Sequence, residues 1–143
     1  MPRRRGGRRT VCSGHPLVVG APMPRPVLAE AALHPAIRPQ VAACHADLIA
    51  EVVAAAARYP VVVVGMAQNP FVKKARRALD AAAVAHHDLD YGGYFGGWRR
   101  RNALKMWSGW ATFPMVFVKG QLVGGADDLG RLIASGELKQ LLA

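Results

Sequence analysis

The spacing of apolar positions predicts an amphipathic helix followed at once by a buried strand. Between residues 41 and 59 the apolar side chains recur at intervals of three and four, which places them on one face of a helix. The recurring positions are Val41, Cys44, Leu48, Ile49, Val52 and Val53. Tyr59-Pro60 ends this helix, and the four valines of residues 61–64 follow. A short β-branched run that is apolar at every position predicts a central strand covered on both faces.

The rest of the pattern predicts helices and strands in alternation, with a hairpin near the end. The predicted elements are a helix at residues 70–85, a strand at 87–91, a basic helix at 98–107, strands at 115–118 and 121–123, and a helical region at 126–142. Asn69 caps the first of these helices, and Pro70 occupies its first turn. The glycine-rich residues 92–97 form a loop. Lys119-Gly120 is the turn of the hairpin.

This order of elements predicts an α/β fold in which helices cover a mixed sheet. A chain of 143 residues favours one domain. We assign that domain to residues 41–143, where the periodic pattern lies. Residues 23–40 are rich in proline, which breaks helices, and we expect them to form an extended lead-in.

The net charge of +10 is unevenly distributed. Five arginines lie in the first ten residues, and without them the excess falls to +5. Residues 1–22 have no periodic apolar pattern, so we predict a disordered basic tail. Three interpretations remain open: an anion-binding arm, a targeting signal, or translation from a start upstream of the true initiator, for which Met23 is a candidate. Export is disfavoured because the apolar stretch after Arg8-Arg9 is short.

The two cysteines, Cys12 and Cys44, form no CxxC pair. A disulfide scaffold and a metal site are therefore not expected, and the compartment is predicted to be reducing, so the protein is expected to be cytoplasmic. Cys44 is expected to be a buried helix residue. No apolar run approaches the roughly 18 residues of a membrane span, so no membrane partner is expected.

Three segments resemble the glutaredoxins of the thioredoxin superfamily. Residues 61–74, VVVVGMAQNPFVKK, resemble the strand, active-site loop and helix start, with CPYC falling on residues 69–72. Residues 104–114, LKMWSGWATFP, resemble LKxYSxWPTxP of the monothiol, CGFS-type members, and residues 118–127, VKGQLVGGAD, resemble VKGELVGGxD. The resemblance implies a thioredoxin-like (glutaredoxin) fold, a mixed four-stranded sheet flanked by helices, and a role in redox homeostasis.

The chain departs from the family at the reactive position. Family chemistry needs a thiolate at the helix N-terminus, where the helix dipole and free N–H groups lower the cysteine pKa. Asn69 and Val72 stand at the two cysteine positions. An amide cannot attack a disulfide, form a mixed disulfide or hold an iron–sulfur cluster. We therefore expect no catalytic residue, with Asn69 marking the lost nucleophile, and no cluster.

The resemblance also implies that part of a glutathione-binding groove is retained. The family's lysine before the active-site loop becomes Met66 and is lost. The implied ligand residues are Arg101, Phe113, Pro114, Gly124, Gly125, Ala126 and Asp127. Arg101 would pair with a carboxylate and Asp127 with the γ-glutamyl amine. The backbone of Phe113, before a cis-Pro114, would pair with an extended peptide.

These residues also have purely structural interpretations. Arg101 is alternatively one solvated charge of an arginine run, and Asp127 is alternatively the cap of the last helix. The adjacent glycines alternatively only turn the chain. Trp107 and Trp110 are expected to pack in the core or at its edge.

The sequence leaves three candidate functions. The favoured one is a glutaredoxin-like binding or regulatory module without thiol catalysis, whose partner is glutathione or an extended peptide of another protein. The second is a glutathione-dependent enzyme, in which Asn69 donates a hydrogen bond to the bound thiol as in transferases, or Cys44 is a displaced nucleophile. The third is nucleic-acid binding by residues 73–77 and 99–101, which no recognition motif accompanies and which is not expected.

Overall fold

The computed structural model describes residues 25–93 and 96–143. The predicted disordered tail of residues 1–22 lies outside the described residues, as do Tyr94 and Phe95 of the glycine-rich loop. The chain divides after Leu33 into two units. In the first, a short 3₁₀ turn at Glu30–Ala32 interrupts the predicted extended lead-in. The second carries the helices and strands described below.

The predicted first helix is two helices, α1 (Arg38–Ala43) and α2 (Ala46–Arg58). The break is at His45, whose left-handed backbone (φ 47°) ends the regular pattern. The prediction that Cys44 is a buried helix residue is wrong, because Cys44 follows α1 and is exposed. The prediction that the prolines of residues 23–40 exclude a helix is also wrong, because Pro39 lies in the first turn of α1. A proline in the first turn needs no N–H bond and is tolerated there.

The predicted mixed four-stranded sheet is confirmed. Its strands are β1 (Val61–Gly65), β2 (His87–Asp90), β3 (Met115–Val118) and β4 (Gln121–Gly124), in the order β2-β1-β3-β4. Strand β1 pairs with β2 in parallel and with β3 antiparallel. Every residue of β1 is buried, as expected for a central strand between two helical layers.

The hairpin between β3 and β4 turns at the predicted residues. Lys119 (φ 48°) and Gly120 (φ 80°) are both left-handed. Two successive left-handed residues make a two-residue turn whose twist matches that of the flanking strands. This turn places Val118 opposite Gln121 and thereby sets the register of β4 against β3.

Four further helices cover the sheet. They are α3 (Pro70–Ala81), α4 (Trp98–Ser108), α5 (Ala126–Ser135) and α6 (Glu137–Leu142). Helix α3 ends earlier than predicted because Ala83 is left-handed (φ 56°). Their buried faces complete the core with Val72, Leu79, Leu104, Leu129 and Leu138. None of the helices within the described ranges has the length and apolar character that a membrane span requires.

His86 ties the end of α3 to the start of β2. Its Nε2 lies 3.0 Å from Asp80 Oδ1, and its Nδ1 lies 2.8 Å from Asp88 Oδ1. Both ring nitrogens donate together only in the protonated imidazolium. Burial lowers the pKa of His86, but the hydrogen bonds to the two carboxylates outweigh burial, so the pKa is raised above 6.5. Arg76 on α3 also contacts β2, because its Nη2 donates to Asp90 Oδ1 at 2.6 Å.

We expect the free energy of unfolding to fall as pH rises through this raised pKa. The stabilisation is complete below the unfolded pKa of about 6.5 and is lost above the folded value. The expected loss is about 1.5–3 kcal/mol, the range of a hydrogen bond to a charged group. Denaturant unfolding at a series of pH values measures it. The same fall in His86→Asn would show that another group titrates.

Candidate functional site

Asn69 lies at the N-terminus of α3, where the resemblance to the glutaredoxins places the first cysteine. Its side-chain Oδ1 accepts hydrogen bonds from the backbone N–H of Phe71 at 2.9 Å and of Val72 at 3.4 Å. Pro70 fills the first helical position and has no N–H to satisfy. The predicted cap is confirmed, and the amide oxygen meets the N–H groups that would otherwise stabilise a thiolate.

The chain enters this helix through a loop tied to a second loop after β2. The Ala67 N–H donates to the Gly92 carbonyl at 2.9 Å, and the Tyr91 N–H donates to the Gly65 carbonyl at 2.9 Å. Met66, at the position where the resemblance implied a lysine, is buried. The loop therefore brings an apolar side chain where the resemblance expected a cation.

Phe113 and Pro114 are joined by a cis peptide bond directly before β3, as the resemblance implied. The Phe113 side chain is 7% exposed, and Lys105 Nζ lies 5.7 Å from its ring centroid. Within residues 25–93 and 96–143, no hydrogen bond uses the backbone N–H or carbonyl of Phe113. These two groups can pair with a strand-like ligand, because extended peptides bind through backbone groups of this kind.

Gly124, the last residue of β4, and Gly125 connect this strand to α5. Gly124 has φ +116°, and a Cβ there would lie 2.6 Å from Asp128 Oδ2, so only glycine fits. The same Asp128 oxygen accepts from the Gly125 N–H at 3.0 Å. Asp128 therefore caps α5. The alternative that Asp127 is the cap is wrong, and its carboxylate is directed to a different partner.

That partner is Lys74 on α3. Lys74 Nζ lies 2.7 Å from Asp127 Oδ1, and the two side chains are 61% and 63% exposed. The hydrogen bond from Lys74 and its charge lower the pKa of Asp127 below its usual value, so this carboxylate is ionised at neutral pH. The ion pair joins the N-terminal halves of α3 and α5.

A cavity of about 330 Å³ lies between these elements. Its lining residues are Phe71, Trp110, Thr112, Phe113, Pro114, Gly125, Ala126, Asp127, Asp128 and Arg131. Five of the seven predicted ligand residues are therefore brought together around one space, and Gly124 directly precedes them. Arg101 is not among the lining residues. The cavity combines aromatic walls with two carboxylates and one guanidinium.

Arg101 is buried in α4 and serves the glycine-rich loop. Its side chain donates from Nη1 to the carbonyls of Tyr91 at 3.1 Å and Gly96 at 2.6 Å. The alternative of a solvated charge is wrong, because the residue is only 8% exposed. Gly92 (φ +69°) permits this arrangement, since a Cβ there would lie 2.9 Å from Arg101 Nη1.

Three lining residues were not expected from the sequence: Phe71, Thr112 and Arg131. Phe71 is the second residue of α3 and is 55% exposed. The available sequence signal was its place within residues 69–72, on which the resemblance puts CPYC. Trp110 packs against the edge of the core, as expected, and also lines the cavity. Its buried indole N–H has no acceptor among the described residues. Trp107 packs against the core as well, with its ring centroid 6.1 Å from that of Phe117.

Three of the seven basic residues that suggested nucleic-acid binding form ion pairs within the fold. Arg76 pairs with Asp88 and Asp90, Lys74 with Asp127, and Arg100 with Asp47 at 3.7 Å. These pairs reduce the charge that the two clusters offer to a phosphate backbone. In the part of the chain that the structure describes, no group of three acidic, His or Cys side chains is arranged to hold a metal ion.

The mixed sheet, the cis-proline and the helix N-terminus beside it define a thioredoxin-like α/β protein. A family model described as Glutaredoxin matches residues 61–123. The chain is 44% identical over 94 residues to a glutaredoxin-like protein of Dictyostelium discoideum, covering 66% of this chain and 76% of that protein. The chain belongs to the glutaredoxin family.

Two further comparisons extend this assignment. A probable monothiol glutaredoxin of Legionella pneumophila, GrlA, is 34% identical over 77 residues, covering 54% of this chain and 83% of that protein. The crystal structure of a buckwheat glutaredoxin–glutathione complex superposes with a TM-score of 0.59 at 20% identity, covering 68% of this chain and 88% of that one. The superposition shows the shared fold.

Proposed function

We propose that this glutaredoxin-like protein binds glutathione, or an extended peptide of a partner protein, and acts as a binding or regulatory module without thiol catalysis. The observation that carries the proposal is that the helix capped by Asn69 starts beside a cavity whose lining groups can bind a peptide. No cysteine follows Cys44 in the sequence, so the N-terminus of α3 holds no thiol nucleophile.

The cavity supplies a partner for each part of such a ligand. The free backbone N–H and carbonyl of Phe113 pair with the peptide backbone in the manner of an added strand. The N-terminus of α5 at Ala126 favours a carboxylate, and the ionised Asp127 accepts from an ammonium group. Arg101 is buried and does not line the cavity, and its Nη1 donates to two loop carbonyls, so it acts on the ligand through the loop that it holds.

Calorimetric titration with glutathione, together with an assay of glutathione-dependent disulfide reduction, tests the proposal. We expect saturable one-to-one binding and no turnover above the uncatalysed rate. Asp127→Asn keeps the shape of the side chain but removes its charge, and should weaken binding several-fold. Appreciable turnover would overturn the absence of catalysis, and a lack of heat at millimolar glutathione would overturn the binding site.

One observation favours a glutathione-dependent enzyme as the second candidate. Because Asn69 Oδ1 is fixed by two backbone N–H groups, the orientation of its Nδ2 donor is fixed as well. A donor held at a helix N-terminus stabilises a thiolate on a bound ligand, as electrostatic catalysis requires. A rise in thiolate ultraviolet absorbance when glutathione binds at neutral pH supports this candidate, and an unchanged spectrum at saturation removes it.

Two other expectations stay predictions. A cytoplasmic location follows from cysteine usage alone. The absence of an iron–sulfur cluster follows from the chemistry of Asn69, since an amide does not replace a thiolate as a cluster ligand.

A further inference from the structure

We propose that Lys74 is an internal competitor for the ligand's ammonium group and thereby sets the affinity of the groove for ligands with a free amine. The inference rests on the proposed function, because it assumes that a ligand with an amino group enters the cavity beside Asp127. It goes further by assigning a specificity role to a residue that does not itself line the cavity.

Lys74 already binds the Asp127 carboxylate that the ligand's ammonium group would use. Lys74 Nζ is 2.7 Å from Asp127 Oδ1, and Asp127 lines the cavity. Phe71, one turn before Lys74 on α3, lines the same cavity. The ion pair therefore lies at one edge of the cavity, between α3 and α5. The first turns of both helices line the cavity.

The chemistry makes the competition direct. The lysine side chain and a ligand's α-amino group are both primary ammonium ions, and each donates to the same carboxylate oxygens. Both partners of the pair are more than half exposed, so solvent screens their attraction. Such a pair opens at little cost, and a flexible lysine side chain can swing away with no movement of the backbone.

The acidic side chains at the cavity are balanced by basic ones. Asp127 and Asp128 are offset by Lys74 and by Arg131, whose Nη2 lies 3.7 Å from Asp128 Oδ1. Removing the Lys74 charge leaves Asp127 without its cation and makes this edge of the cavity negative. An ammonium ligand then binds more tightly, whereas a ligand without that group gains nothing.

The test compares three proteins and two ligands by calorimetric titration. The proteins are the unaltered chain, Lys74→Gln and Lys73→Gln, because Lys73 is the adjacent exposed lysine and has no ion pair among the residues described. The ligands are glutathione and glutaryl-cysteinylglycine, which is glutathione without its amino group. We expect Lys74→Gln to raise the affinity for glutathione about two- to fivefold, the range for releasing one exposed ion pair. Neither glutaryl-cysteinylglycine binding nor the Lys73→Gln protein should show this gain.

The other outcomes separate this inference from the proposed function. If the unaltered chain binds glutathione and Lys74→Gln binds it equally or more weakly, the competitor role is overturned while the binding site stands. An equal gain for both ligands also overturns the role, since it would not depend on the ammonium group. If none of the three proteins binds either ligand, the proposed function fails and the inference fails with it.

Discussion

Replacing Asn69 with cysteine is expected to give the protein a reactive thiolate and the ability to form a mixed disulfide with glutathione. The backbone N–H groups of Phe71 and Val72 that now bond to the Asn69 side chain would face the sulfur. Donors at a helix N-terminus lower a cysteine pKa from about 8.5 into the range of about 3.5–7.5. The thiolate then attacks oxidised glutathione, forms the protein–glutathione disulfide and releases one glutathione thiolate.

Mass spectrometry after exposure to oxidised glutathione counts the adducts, and the pH dependence of alkylation gives the thiol pKa. Cys12 and Cys44 are changed to serine in every protein so that only position 69 reacts. Asn69→Ser is the matched control, since it keeps a good helix cap and has no thiol. An unreactive Asn69→Cys with an ordinary pKa would show that the helix N-terminus lacks the electrostatic character inferred for it.

Removing Arg101 is expected to cost about 2–4 kcal/mol of unfolding free energy. Arg101→Ala leaves the buried Tyr91 carbonyl without its donor, at about 1–3 kcal/mol for an unsatisfied group. It also removes one of the two hydrogen bonds that the Gly96 carbonyl accepts, at about 1 kcal/mol. The glycine-rich loop also loses its anchor, so the loss exceeds that of a typical surface change. Urea unfolding followed by circular dichroism measures the difference.

Two further variants keep this prediction testable if Arg101→Ala does not fold. Arg101→Lys should lose less than Arg101→Ala, because it retains a cationic donor. It should still lose some stability, because lysine cannot reproduce the planar geometry of the guanidinium. Arg99→Ala removes an exposed arginine of the same run and should change stability by about 0.5 kcal/mol or less. Similar small losses at both positions would mean that the buried contacts of Arg101 contribute little.

The sequence predicted the sheet well because its signals are local. The four valines of β1, the Lys119-Gly120 turn and the Asn69-Pro70 helix start each carry their information within a few residues. The interruption between α1 and α2 carried no such signal. His45 adopts a left-handed backbone without the glycine that usually marks one, and it leaves Cys44 exposed.

The functional site was predicted less completely because long side chains find partners that only the fold supplies. Arg101 reaches carbonyls of the loop before its helix, so the arginine run gave no indication of its burial. Lys74 and Asp127 are 53 residues apart in the chain and meet only because α3 and α5 pack together. Phe113, Pro114 and the α5 N-terminus were found because motif resemblance carries long-range information that periodicity lacks.

The most direct test of the central claim is a titration of the isotope-labelled protein with reduced glutathione, followed by backbone amide NMR. The proposed binding mode predicts saturable shifts concentrated at Phe113, Gly125, Ala126 and Asp127, with the protein recovered unmodified afterwards. Shifts confined to other surfaces, or no shifts at millimolar glutathione, would contradict a ligand groove at the cis-proline and the start of α5.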